Sequence, residues 1–124
     1  MFIEKELSEK ILKCAYSVHT ELGPGLLERT YEMCLCYELR KNGLMVEQQA
    51  MLPVEYKGIE IDAGYRLDIL VENKIILELK SVEELTDIHT AQILTYLKLS
   101  GCRIGYLMNF NVKSLKQGIK RYIL

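Results

Sequence analysis

Three charged side chains sit inside otherwise apolar runs: Asp68 in Arg66-Leu-Asp-Ile-Leu-Val71, and Glu78 and Lys80 in Ile75-Ile-Leu-Glu-Leu-Lys80. A charge inside a core is costly unless it pairs or holds an ion, so these residues demand a chemical explanation. The two runs read as strands joined by the polar loop Glu72-Asn73-Lys74. A three-residue loop sets Val71 opposite Ile75, Ile69 opposite Leu77 and Leu67 opposite Leu79, with all six side chains on one face. The other face then carries Asp68 opposite Glu78, Leu70 opposite Ile76 and Arg66 opposite Lys80. A two-residue Asn73-Lys74 loop would instead put Asp68 opposite Leu79 and split the acids between faces. Facing carboxylates repel, and a divalent cation relieves this at neutral pH. Facing cations likewise call for an anion, such as a phosphate, between Arg66 and Lys80. The chemistry so assembled is a hard cation beside a phosphate beside a lysine. The competing reading is an interior ion pair of Asp68 or Glu78 with Lys80, without a catalytic role. Two other Glu-x-Lys pairs, Glu55/Lys57 and Glu72/Lys74, fall at a strand end and in the polar turn, and read as solvated.

The elements that must position these residues follow from periodicity. Leu7, Ile11, Cys14/Ala15, Val18 and Leu22 recur at helical spacing, which predicts an amphipathic helix over 8–22. Ser8 would cap it, with Leu7 and Leu12 as a hydrophobic staple. Gly23-Pro24-Gly25 turns the chain into a second helix over 26–41, with Leu27, Tyr31, Leu35 and Leu39 on its buried stripe. Asn42-Gly43 closes that helix. Residues 45–57 read as a strand bent at Pro53. Residues 59–72 and 75–81 supply the next strands. Thr86 or Asp87 caps a third helix over 88–100, ending at Gly101. Residues 103–110 form a further strand, and the basic tail from Lys113 a short helix or edge piece. The order α-α-β-β-β-α-β predicts a three-layer α/β domain with a mixed central sheet.

With 124 residues, 49% of them apolar and 27% charged, the chain reads as one globular domain over 1–124. A net charge of −1 argues against a large non-specific surface for coating nucleic acid, though not against a local groove. Lys113, Lys116, Lys120 and Arg121 could touch phosphates or simply form a solvated face. Cys14, Cys34, Cys36 and Cys102 contain no Cys-x-x-Cys pair, which favours reduced thiols and a reducing compartment. No apolar run approaches a membrane span. The first residues carry charges where a signal peptide needs its apolar stretch. A cytoplasmic protein is expected.

Asp68 followed after a hairpin by Glu78-x-Lys80 resembles the signature of the PD-(D/E)XK nuclease superfamily, with Leu67 where a proline commonly precedes the aspartate. Upstream, Leu22-Gly-Pro-Gly-Leu-Leu-Glu-Arg-Thr-Tyr31 contains Gly25-x-x-Glu28-x-x-Tyr31, the pattern of that superfamily's GxxExxY proteins. Val18-His19, His89-x-x-Gln92-x-x-x-Tyr96 and Asn109-Phe110 are also similar to this family. The resemblance implies a restriction-endonuclease-like α-β-α core and a divalent-metal-dependent nuclease. It brings Glu28 forward as a metal ligand from the first turn of the second helix, where the dipole favours a carboxylate and plain helix-start chemistry is the alternative. Glu32, one turn later, is expected at the surface, and Tyr31 is expected to pack or to orient Glu28. Gln92 and Tyr96 share one helix face with His89. Gln92 would position Lys80 or substrate, and Tyr96 would contact a phosphate or base unless it is simply a half-buried helix aromatic. His19 and His89 have no partner spacing that points to zinc or to a nucleophile–base pair.

The resulting expectation is phosphodiester hydrolysis of nucleic acid, DNA in preference to RNA. Asp68, Glu78, Glu28 and the Leu79 backbone carbonyl would hold one or two Mg²⁺ or Mn²⁺ ions. Lys80 would act on the attacking water or the developing charge, and Arg66, Gln92 and Tyr96 would meet substrate. A chain this small would grip a duplex better as a homodimer. The alternative is a catalytically inactive module of the same fold that binds nucleic acid or protein. Small size, near-neutral charge and the lack of an appended DNA-binding domain favour that alternative.

Overall fold

The structure, a computed structural model, describes residues 4–124, so Met1–Ile3 of the charged N-terminal stretch lie outside it. Helix α1 spans Lys5–Leu22 and buries Ile11, Cys14, Ala15 and Val18, the predicted stripe. It begins a turn earlier than the expected Ser8 cap. The Ser8 amide already donates to the Glu4 carbonyl at 2.9 Å, and Ser8 lies buried inside the helix. The Leu7–Leu12 staple is lost with the cap. Helix α2 spans Glu28–Lys41 and buries Tyr31, Leu35 and Leu39. Leu27, expected on that stripe, is 77% exposed because it is the extended N-cap residue rather than part of the helix.

The two longest predicted strands each divide in two. Pro53 separates β1 (Val46–Met51) from β2 (Val54–Tyr56), as a residue without an N–H must interrupt a ladder. A turn in which Asp62 Oδ1 accepts the Gly64 amide at 3.0 Å separates β3 (Ile59–Ile61) from β4 (Arg66–Val71). Strands β2 and β3 form a small hairpin of their own, and β5 spans Ile75–Lys80. Helix α3 (Asp87–Ser100) starts at a capping box of Thr86 and His89 and stops at Gly101, whose φ is 78°. Strand β6 (Ile104–Asn109) is buried throughout. The tail makes a 3₁₀ turn and the edge strand β7 (Ile119–Ile123).

The main sheet runs β1-β4-β5-β6-β7. Its β5–β6 pair is parallel, joined through α3, and every other neighbour is antiparallel. On one face, Ile69, Val71, Ile75, Leu77 and Leu79 pack with Ile11, Val18, Leu35 and Leu39 of α1 and α2. On the other, Ile76 packs with Tyr96 and Leu97 of α3, giving a mixed sheet flanked by helices. The β4–β5 register is the one expected from the three-residue loop: Val71 pairs with Ile75, Leu70 with Ile76 and Ile69 with Leu77. Leu67 departs from it and joins Ala50, Leu52 and Ile76 in the second cluster. Its β1 partner Ala50 changes with it, and the switch in both strands falls at the unpaired position between them, Gln49 (φ 53°) and Asp68.

The last strand is held by close backbone approach. A Cβ built on Gly118 would stand 2.1 Å from the Asn109 carbonyl oxygen, so no larger residue fits without moving β6 or β7. Gly118→Ala is expected to cost about 1–3 kcal/mol and to lower the melting temperature by on the order of 5–10 °C in a thermal denaturation.

Candidate active site

The β4–β5 ladder stops one residue short of the two acids. In place of further backbone pairing, the Asp68 amide donates to Glu78 Oε2 at 2.9 Å and the Leu79 amide donates to Asp68 Oδ2 at 2.9 Å. On the other side of β4, the pair that would join Asp68 to Gln49 is missing as well. Asp68 therefore leaves the ladder on both sides, and each acid replaces a bond of the sheet with one from its own carboxylate. The expected juxtaposition of Asp68 with Glu78 is present. Arg66 does not face Lys80: its guanidinium lies 3.4 Å from Asp62 Oδ1 and donates to the Tyr65 carbonyl at 2.9 Å, because the strands have parted and Asp62 is the nearer anion.

Lys80 makes no ion pair among the described residues, contrary to the interior acid–lysine reading. Its Nζ donates to Gln92 Oε1 at 3.4 Å, and Gln92 Nε2 donates to the Tyr96 hydroxyl at 3.2 Å. Their four-residue spacing on α3 turns the pair toward the end of β5. Tyr96 is 8% exposed and meets the exposed Tyr65 ring edge-on, with centroids 6.4 Å apart. Beyond Lys80, buried Asn109 pins the chain by accepting the Val82 amide and donating to the Val82 carbonyl.

Helix α2 brings Glu28 to the opposite wall. The turn before it is tied by Tyr31, which is fully buried and stacked on Phe110 with ring centroids 4.6 Å apart. The Tyr31 hydroxyl donates to the Gly23 carbonyl at 2.6 Å and accepts the Leu26 amide at 3.1 Å, while Ser81 Oγ donates to the Leu26 carbonyl at 2.7 Å. The Gly-x-x-Glu-x-x-Tyr spacing thus has a local reason. Gly25 turns with φ 97°, Tyr31 clamps the turn from below, and Glu28 starts the helix exposed above it.

Glu32 is not at the surface. It is 7% exposed and accepts Gln48 Nε2 and Gln49 Nε2, both at 2.8 Å. The i, i+4 spacing from Glu28 was the available signal, and the two glutamines that bury Glu32 are visible only in the fold. Glu28, Glu32, Gln48, Gln49 and Asp68, with Leu27 and Arg29, line an open cleft of about 690 Å³. Both histidines meet backbone groups. His19 Nε2 lies 3.1 Å from the Phe110 carbonyl and 2.8 Å from that of Val112, and His89 Nδ1 accepts the Thr86 amide.

Desolvation dominates the electrostatics of the acids. Burial, with Glu32 and Glu28 adding and Lys80 opposing, pushes Asp68 up to about 6 despite the Leu79 amide. Burial and then the Asp68 charge push Glu78 up to about 8. Glu28 is raised by desolvation first, with Lys80 opposing and Glu32 adding. Among the described residues no three His, Cys, Asp or Glu side chains close into a ready ligand set. The donors nonetheless suit a hard cation. Two carboxylates lie side by side without a cationic partner, and Glu78 Oε1 accepts no hydrogen bond from the described residues.

A mixed sheet flanked by helices, with an acid pair and a lysine where two central strands part, defines a restriction-endonuclease-like α/β domain. The family model of the PD-(D/E)XK nuclease superfamily matches residues 5–122, and the chain belongs to that superfamily. No curated protein and no solved structure matches it. Among the described residues no helix is long and apolar enough to cross a membrane.

Two outcomes follow from this geometry. Unfolded, both acids ionise near pH 4; folded, they keep their protons to higher pH, so metal-free protein loses stability as pH rises from about 4 to 8. Calorimetry in a chelator should show a melting temperature on the order of 5–10 °C lower at pH 8 than at pH 5. Asp68→Asn should flatten that slope, and a pH-independent melting temperature would contradict the arrangement. Tyr31→Phe, which frees the Gly23–Leu26 turn, should cost about 1–2 kcal/mol by denaturant titration.

Proposed function

We propose that this chain is a divalent-cation-dependent phosphodiesterase of the GxxExxY type, cleaving nucleic acid, DNA in preference to RNA, in the cytoplasm. The observation that carries the reading is the pair of buried Glu78 and half-buried Asp68, which makes no ion pair among the described residues and stands beside a lysine that likewise makes none. Nuclease-type chemistry is what membership of the superfamily implies, and its members usually use divalent metal ions.

In this reading Asp68 and Glu78 would hold Mg²⁺ or Mn²⁺, with Glu28 and the Leu79 carbonyl as the further ligands. When bound, the metal supplies an acidified water and neutralises charge at the phosphorus. The protein's own work is orientation. Lys80 Nζ, steadied by Gln92, aims its N–H groups at the attacking water and at the charge that develops on the phosphate. Tyr96, linked to Gln92, meets the phosphate or base next to the scissile bond. Arg66 is a phosphate contact held in reserve. Its pairing with Asp62 is exposed, so exchanging that partner for a phosphate costs little.

The test is a cleavage panel of single- and double-stranded DNA and RNA with Mn²⁺. Lys80→Ala and Asp68→Ala should each lose on the order of 100-fold or more in rate, with circular dichroism unchanged. Equal cleavage by both variants would refute the assignment. Mn²⁺ binding without cleavage of any substrate would refute it as well, in favour of a binding module.

A further inference from the structure

In an extended strand successive side chains point to opposite faces, so one carboxylate should meet Gln48 or Gln49 and not both. Glu32 meets both at 2.8 Å. The backbone of Gln49 is left-handed at φ 53° within β1, a conformation that a non-glycine residue adopts only under strain. Strain of this kind gathers where a site over-determines its geometry.

Gln49 occupies the register position across from Asp68, between the pairs Gln48–Ile69 and Ala50–Leu67. Its Nε2, held by Glu32 Oε1, also faces Asp68 Oδ1 at 3.5 Å. Asp68 Oδ2 is taken by the Leu79 amide on the other side. The Asp68 carboxylate thus has a backbone donor on one oxygen and, at the outer limit of hydrogen-bond distance, an exposed side-chain amide facing the other. Glu32 forms no ion pair among the described residues and is buried on two neutral amides, an arrangement that folding alone does not favour.

We propose that Gln49, anchored by Glu32, is a positioning residue that fixes the orientation of Asp68 for cation binding. It acts through Asp68, and the inference rests on the cation site described under the proposed function.

The experiment is Mn²⁺ titration by calorimetry, paired with thermal denaturation in a chelator, on four proteins: the unaltered chain, Gln49→Gly, Glu32→Gln and the double variant. Glycine adopts the left-handed backbone without steric cost, so Gln49→Gly removes the amide while keeping the strand path. Its metal-free melting temperature should stay within a few degrees of the unaltered chain's, because relief of the backbone strain offsets the bond lost to Glu32. Its Kd for Mn²⁺ should rise 10–100-fold, the usual effect of losing a partner that orients a metal ligand. Glu32→Gln should act in the same direction, and the double variant should cost less than the product of the two, because one network is being removed. A Gln49→Gly protein that binds Mn²⁺ within twofold of the unaltered chain overturns the proposal. So does a loss of affinity that merely tracks lowered melting temperatures across the variants. Asp68→Asn separates the two levels. If the unaltered chain binds Mn²⁺, Asp68→Asn abolishes binding and Gln49→Gly leaves it intact, only the positioning role falls. If the unaltered chain binds no Mn²⁺, the cation site falls and this inference with it.

Discussion

The site depends on one exchange of hydrogen bonds: Glu78 accepts the Asp68 amide, and Asp68 accepts the Leu79 amide, where two backbone rungs would otherwise be. An unpaired backbone amide inside a sheet costs about as much as a lost hydrogen bond, so a ladder can open only where other acceptors replace it. The two carboxylates are those acceptors. They part β4 from β5 and are placed side by side by the same act. Each keeps acceptor capacity over, since a carboxylate has more lone-pair sites than one amide fills.

The surrounding elements support that opening from three directions. Helix α2 supplies Glu28 from a turn clamped by Tyr31, whose ring is backed by Phe110 at the end of β6. Phe110 in turn donates its amide to the Lys80 carbonyl, so the stretch that backs the clamp also fixes the exit of β5. Helix α3 brings Gln92 and Tyr96 to Lys80 from the opposite face of the sheet. Strand β1 closes the remaining side with a residue in left-handed conformation and a buried glutamate behind it. The site is thus assembled at the level where the sheet gives up its regular pairing.

This arrangement also accounts for the unequal environments of the acids. Glu78 is 3% exposed and carries the greater burden of burial, whereas Asp68 borders the cleft. Removing water from two like charges raises both, and a lysine that donates to a glutamine offsets them only in part. With three acids and one cation, Arg29, in its lining, the cleft suits a ligand that brings its own positive charge.

Much of this was legible in the residues alone. The alternation of β4 and β5 determined the register, because a one-residue slip would have turned their apolar side chains to the wrong face. Helical spacing likewise determined that Glu28 lies in the first turn of α2, though not that the helix starts there, and that Gln92 and Tyr96 share a face, since i, i+4 neighbours meet whatever the fold. What the tertiary structure decided involves partners distant in sequence. Glu32 is buried because Gln48 and Gln49 on another strand reach it. Arg66 turns to Asp62 once the strands part, and Leu67 changes cluster together with its β1 partner Ala50. Periodicity reports which face a residue presents within its own element. It carries no information about where that alternation breaks, and the cleft beside Asp68 lies at such a break.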